Sequence, residues 1–174
     1  YRLRTDISYI RRITETRLEK REYSLLINAI RENGCIPMAT PFDEESVSWC
    51  VDFDLPIIKV ASVDSNDWFI LKKIAETNKP TIISTGGTTL EDIDKAVIFF
   101  ESRKIPLAIN HCVATYPSED DELELNQIDF LKVRYPNNVI GLSSHEHFDC
   151  ISSMLISYAK GARLFELHID IGDD

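Results

Sequence analysis

No apolar run in this chain approaches the roughly 18 residues that cross a bilayer, and no basic start followed by an apolar stretch marks a secretory leader. Both absences predict a soluble, cytoplasmic protein. Glycine and proline are sparse, six and seven among 174 residues, so a low-complexity or disordered chain is excluded, while 44% apolar content is enough for one domain-sized core. No C-x-x-C pair occurs. Cys35, Cys50, Cys112 and Cys150 are widely spaced in a chain too large to depend on disulfides, and they read as reduced, buried thiols. Excess positive charge is also missing. Residues 1–21 hold seven Lys/Arg against three Asp/Glu, a net +4, which leaves −14 on residues 22–174 from the total of −10. A nucleic-acid-binding face is therefore not expected. The basic opening, "YRLRTDISYIRRITETRLEKR", lacks an apolar period and reads as a solvated connecting segment over 1–21.

What is present from residue 22 onward is alternation. Six short apolar runs read as strands: "CIPMAT", "PIIKVAS", "PTIIST", "PLAINHC", "NVIGLSS" and "RLFELHI". Amphipathic helical patterns separate them. Thr88 with Glu91 reads as a capping box before "DIDKAVIFF". Asp149 reads as an N-cap, Ile151, Met154, Leu155 and Tyr158 as one apolar stripe, and Gly161 as the stop. Strand onsets recur every 21 to 32 residues, the period of a strand-helix unit. The chain is thus expected to be a parallel α/β protein.

A doubly wound sheet and a (β/α)8 TIM barrel share that alternation, and the polar residues separate them. An open sheet needs polar strand ends only at its switch point, whereas every barrel strand can contribute. Here every run ends in groups able to bind or react: Thr40, Ser62, Ser84 with Thr85, His111 with Cys112, Ser143 with His145, and Glu166 with His168. The expectation is an incomplete TIM barrel of about six strand-helix units over 22–174, part of a longer protein.

Lys59 sits inside a run otherwise built for burial, which calls for an anion nearby or for a side chain that reaches past the strand end. "ISTGGTTLED" has the glycines and hydroxyls of an anion-binding turn without the lysine of a P-loop, and its glycines could equally serve a tight turn. His145 and His168 end successive strands, about 4.8 Å apart in a barrel, so two imidazoles beside Glu166 could share a divalent ion. His111 and His147 read as packed or surface residues.

Taken in order, "ATPFDEESV", "IIKVAS", "LKKIAETNKPTIISTGGTTLEDIDKAV", "HCVATYP", "IGLSSH" and "FELH" resemble the sialic acid synthase family, which condenses phosphoenolpyruvate with an N-acyl aldose such as N-acetylmannosamine. The resemblance implies barrel strands three to eight. It implies a divalent metal ion, manganese first with magnesium or cobalt as alternatives, on His145 and His168, and Glu166 handling water or a proton at the condensing carbons. It assigns phosphoenolpyruvate to Thr40, Lys59, Ser62, Ser84 and Ser143, and the sugar to Asp64 and Tyr116. It further implies a homodimer whose C-terminal antifreeze-like domain lends an arginine to the partner's site.

Several positions depart from the family's pattern. Ala114 stands where Asn is usual, Ser144 where Asp precedes the first metal histidine, and Ile169–Asp170 where Phe-Thr follows the second. Two other readings stay open: an aldolase using Lys59 as a Schiff base, and a non-catalytic sugar-phosphate or nucleotide-sugar binding module.

Overall fold

The computed structural model describes residues 6–146 and 149–169. The chain divides into two compact units, Tyr1–Pro37 and Met38–Asp174. In the first, α1 (Ser8–Glu15) occupies the middle of the stretch expected to be a connecting segment. Its apolar pattern spans only two turns, too few for a period to stand out. α2 (Lys20–Glu32) begins on a reciprocal cap, in which the Glu19 N–H donates to the Glu22 carboxylate at 2.7 Å. It runs through residues 21 and 22, so the expected boundary falls within its first turn.

The second unit carries six parallel strands in the order β1-β2-β3-β4-β5-β6: Met38–Ala39, Ile57–Val60, Thr81–Ser84, Leu107–Cys112, Val139–Ser143 and Leu164–Glu166. Each sequence run expected to be a strand contains one. Between them lie α3 (Glu44–Asp52), α4 (Trp68–Glu76), α5 (Leu90–Glu101), α6 (Gln127–Arg134) and α7 (Cys150–Lys160). Sequential order without a switch in direction is the arrangement of an incomplete (β/α)8 barrel.

Side chains alternate across the sheet. Ile58, Val60, Ile83, Ile109, Ile140 and Leu142 point outward and are buried, together with Val47, Leu71, Ile74, Ala96, Phe100 and Ile128 of the helices. The opposite, concave face carries Lys59, Ser84, Asn110, Ser143 and Glu166. Burying an Ile or Leu side chain contributes about 1.5–3 kcal/mol, so the outward face provides the stability that lets the concave face be polar.

Caps set where the helices start, and therefore how long each strand-to-helix turn is. Asp43 accepts from the Ser46 N–H at 2.6 Å, and Asp67 from the Phe69 N–H at 2.9 Å. Asp149, as expected, accepts from the Ser152 N–H at 3.0 Å. For α5 the cap is Thr89, one residue later than expected, accepting from the Asp92 N–H at 3.2 Å. Thr88 instead donates to the Ser62 carbonyl at 3.3 Å and bonds the Ser65 hydroxyl at 2.5 Å. Gly161 ends α7 in the left-handed region (φ 104°), as its place in the sequence predicts.

The apolar stripe expected to bury α7 does the opposite. Ile151, Leu155 and Tyr158 are exposed, while Ser153 and Ser157 face inward and are buried. The buried face of this helix is thus its small, hydroxyl-bearing face. Among the described residues, no helix is long and apolar enough to cross a membrane.

Candidate active site

β4, β5 and β6 lie in register, with Asn110 beside Gly141 and Cys112 beside Ser143, which in turn neighbours Glu166. Lys59 lies on β2, four strands from Glu166. Its long stem spans the concave face, and Nζ meets Glu166 Oε1 at 2.5 Å with the lysine side chain only 11% exposed. The second carboxylate oxygen accepts from the Asn110 amide at 3.2 Å. Both Glu166 oxygens are therefore held by side chains, one by a cation and one by a neutral donor.

At the rim of this face stand three rings. The centroids of His145 and His168 are 5.5 Å apart, and Tyr116 lies 5.1 Å from the first and 5.5 Å from the second. The turn carrying His145 is tied from two sides. The Ser118 N–H donates to the His145 carbonyl at 3.2 Å, and the Ser144 N–H donates to the Glu166 carbonyl at 3.0 Å. Burial, the neighbouring His168 and the Lys59 cation all depress the His145 pKa, against an opposing pull from Glu166. The shift favours the neutral ring, the form able to ligate a metal. The Thr115 backbone also pulls the pKa upward, and among the described residues Nδ1 is buried without a hydrogen-bond partner, which leaves a lone pair able to ligate an ion.

The hydroxyls expected to bind phosphoenolpyruvate fall into two groups. Ser84 and Ser143 end β3 and β5 on the concave face, both buried, and among the described residues Ser84 Oγ has no hydrogen-bond partner. Ser62 Oγ accepts from the Gly86 N–H at 3.1 Å, joining the turn after β2 to the turn after β3, and this bond leaves its O–H able to donate to a ligand. A Cβ on Gly86 would lie 3.1 Å from that hydroxyl and 3.2 Å from Cys112 Sγ, so glycine is what lets the turns meet. Thr40 follows β1 and is half-buried. Asp64 lies in the turn Ser62–Asp64; burial, then nearby Asp67, raises its pKa, and Oδ2 is buried without a partner.

His111, at the end of β4, points away from this face. Its Nε2 bonds the Leu123 carbonyl at 2.8 Å, and burial lowers its pKa, as expected of a packed histidine. Ala114 is exposed in the turn after β4. His147 and Asp170 to Asp174 lie outside the described residues, so the expectations attached to them are not addressed by the fold.

Asn110 is the site residue that pattern reading overlooked. It is fully buried, and its signal was a lone amide at an inward position of "LAINHC", between inward Ala108 and Cys112.

Parallel strands in sequential order, with their reactive side chains gathered at the C-terminal ends, define a (β/α)8-type protein whose site lies at that face. The chain belongs to the NeuB family, whose sequence profile matches residues 2–174. It is 37% identical over 134 residues to N-acetylneuraminate-9-phosphate synthase of Drosophila melanogaster, covering 76% of this chain and 36% of that protein. A solved Chromobacterium violaceum protein assigned to spore coat polysaccharide biosynthesis is 40% identical and superposes with a TM-score of 0.95, over 98% of this chain and 51% of its own. The N-acetylneuraminic acid (sialic acid) synthetase of Leptospira borgpetersenii, solved with citrate, is 27% identical with a TM-score of 0.90, over 98% of this chain and 59% of its own. The chain thus spans between about a third and three fifths of the length of these relatives.

Proposed function

We propose that this chain supplies barrel strands three to eight of a synthase that condenses phosphoenolpyruvate with an N-acyl aldose to give a sialic-acid-type 2-keto-3-deoxy sugar acid and phosphate. The observation that carries the reading is the convergence of Lys59, Glu166 and the paired rings of His145 and His168 on the concave face of a NeuB-family barrel.

Each group has a task that fits its surroundings. Lys59, with the hydroxyls of Thr40, Ser62, Ser84 and Ser143, binds the carboxylate and phosphate of phosphoenolpyruvate, and Ser62 also joins the adjoining turns. This fixes the enol carbon for attack and offsets the substrate's negative charge. A bond forms between C3 of phosphoenolpyruvate and the aldehyde carbon, water adds at C2, and the C2–O bond to phosphate breaks. Glu166 accepts the proton of that water, and its two side-chain partners keep the carboxylate aimed. Tyr116 and Asp64 border the sugar.

His145 and His168 are the residues that would hold a divalent ion, manganese in the first instance. The buried Nδ1 of His145, unpartnered among the described residues, and the lowered pKa of its ring suit that role. Among the described residues no group of three His, Cys, Asp or Glu side chains surrounds a common point, so the two imidazoles would be what this chain offers the ion. When bound, the ion supplies polarisation of the acceptor aldehyde. The homodimer, the antifreeze-like domain and the cytoplasmic setting belong to the same proposal.

The Schiff-base alternative needs a free amine. Lys59 is instead an ion-pair partner at 2.5 Å, which argues for anion binding. The deciding experiment incubates the complete protein with phosphoenolpyruvate, manganese and a panel of N-acyl aldoses. Release of phosphate that depends on one of the aldoses is expected. Ligand binding with no phosphate release from any aldose would instead establish a non-catalytic binding module.

A further inference from the structure

We infer that Asn110 is a positioning residue for Glu166, and that Gly141 on the adjacent strand is the space that admits it. The inference rests on Glu166 being the proton-handling group, and goes beyond it by naming what holds that group.

Three observations converge. Asn110 is fully buried on the concave face, in a strand position where a polar side chain costs stability unless it is bonded. Its amide nitrogen donates to Glu166 Oε2 at 3.2 Å, while Lys59 occupies Oε1 at 2.5 Å. The carboxylate is thereby fixed at both oxygens, by contacts from β2 and β4. A lysine alone leaves a carboxylate free to rotate about the bonded oxygen. A second donor at the other oxygen removes that freedom and sets the plane of the group.

The neighbouring strand is adapted to the same end. Asn110 and Gly141 are register partners. A Cβ on residue 141 would collide with Asn110 Oδ1 and would lie 2.6 Å from the Leu164 carbonyl, so any other residue there displaces the amide or the next strand. Among the described residues, Asn110 Oδ1 is itself buried without a partner. Its desolvation is a standing cost that core packing would remove, and retaining the amide is explained by the bond its nitrogen makes.

The test uses the complete protein carrying Asn110→Leu, which keeps the branched skeleton and removes the donor, and Asn110→Asp, which keeps the shape and replaces the donor with an acceptor. With active wild type, kcat for phosphate release is expected to fall about 10- to 100-fold in both, as loss of a charged hydrogen bond implies, with the KM for phosphoenolpyruvate changed less than about threefold. Loss of packing alone would not separate kcat from KM in this way. Unchanged kcat in either folded variant would overturn the assignment. Crystal structures of the two variants provide an arm independent of turnover: the Glu166 carboxylate is expected to rotate or split into two conformers. A carboxylate unmoved within about 0.5 Å would refute the positioning role even if the wild type proved inactive, an outcome that would separately refute the synthase reading.

Discussion

The Lys59–Glu166 ion pair lends itself to a double-mutant cycle, with Lys59→Met and Glu166→Gln made singly and together. At 2.5 Å the attraction between unit charges is about 6–7 kcal/mol for an effective dielectric of 20. Most of this is offset by taking the lysine out of water, and Glu166, at 34% exposed, keeps partial solvent screening. What remains is a coupling of about 1–3 kcal/mol. Each single change leaves a charge on the concave face without its partner and should cost about 2–4 kcal/mol, somewhat less than for a fully enclosed pair. The double variant should then be more stable than the sum of the two losses predicts, by the coupling energy. Equilibrium urea unfolding of all four proteins, read by fluorescence and circular dichroism together, gives the numbers. Additivity within about 0.5 kcal/mol would refute the claim that the two groups meet across the barrel.

Three further outcomes follow from particular contacts. Gly141→Ala should destabilise by about 1–3 kcal/mol, because its Cβ would also lie 2.6 Å from the Leu164 carbonyl, and thermal unfolding about 2–12 °C below wild type would register it. His111 has a depressed pKa in the fold, so the unfolded chain binds the extra proton first and stability falls as pH drops below the ordinary value of 6.5. Urea midpoints at pH 7.5 and 5.5 should differ less in His111→Gln than in wild type, and an equal difference would refute the assignment. His168→Ala should weaken manganese binding at least tenfold in isothermal titration, and undiminished affinity would remove His168 from the metal site.

The strands were legible because parallel strands read as short, mainly apolar runs, and each of the six lies within one. The polar residues ending them were equally plain, since hydroxyls, Lys59 and the two histidines interrupt runs that otherwise favour burial. Periodicity was a poorer guide where hydrophobicity did not choose the buried face. α7 turns Ser153 and Ser157 inward and leaves Ile151 and Leu155 exposed, an outcome no hydrophobic stripe could announce. Neighbouring threonines are equally good caps in one dimension, and only the bonds of Thr88 to Ser62 and Ser65 transfer that role to Thr89. Asn110 escaped notice for a related reason: its partner Glu166 is 56 residues away, and the glycine opposite it acquires meaning only through strand register.

The measurement closest to the central claim is a stoichiometric one on the complete protein, in which phosphate and 2-keto sugar acid are quantified together from phosphoenolpyruvate, with and without an N-acyl aldose. One keto acid per phosphate, with both dependent on the aldose and reduced together in Glu166→Gln, is the predicted result. Phosphate released at the same rate without an aldose, or no keto acid from any aldose supplied, would contradict a condensing synthase.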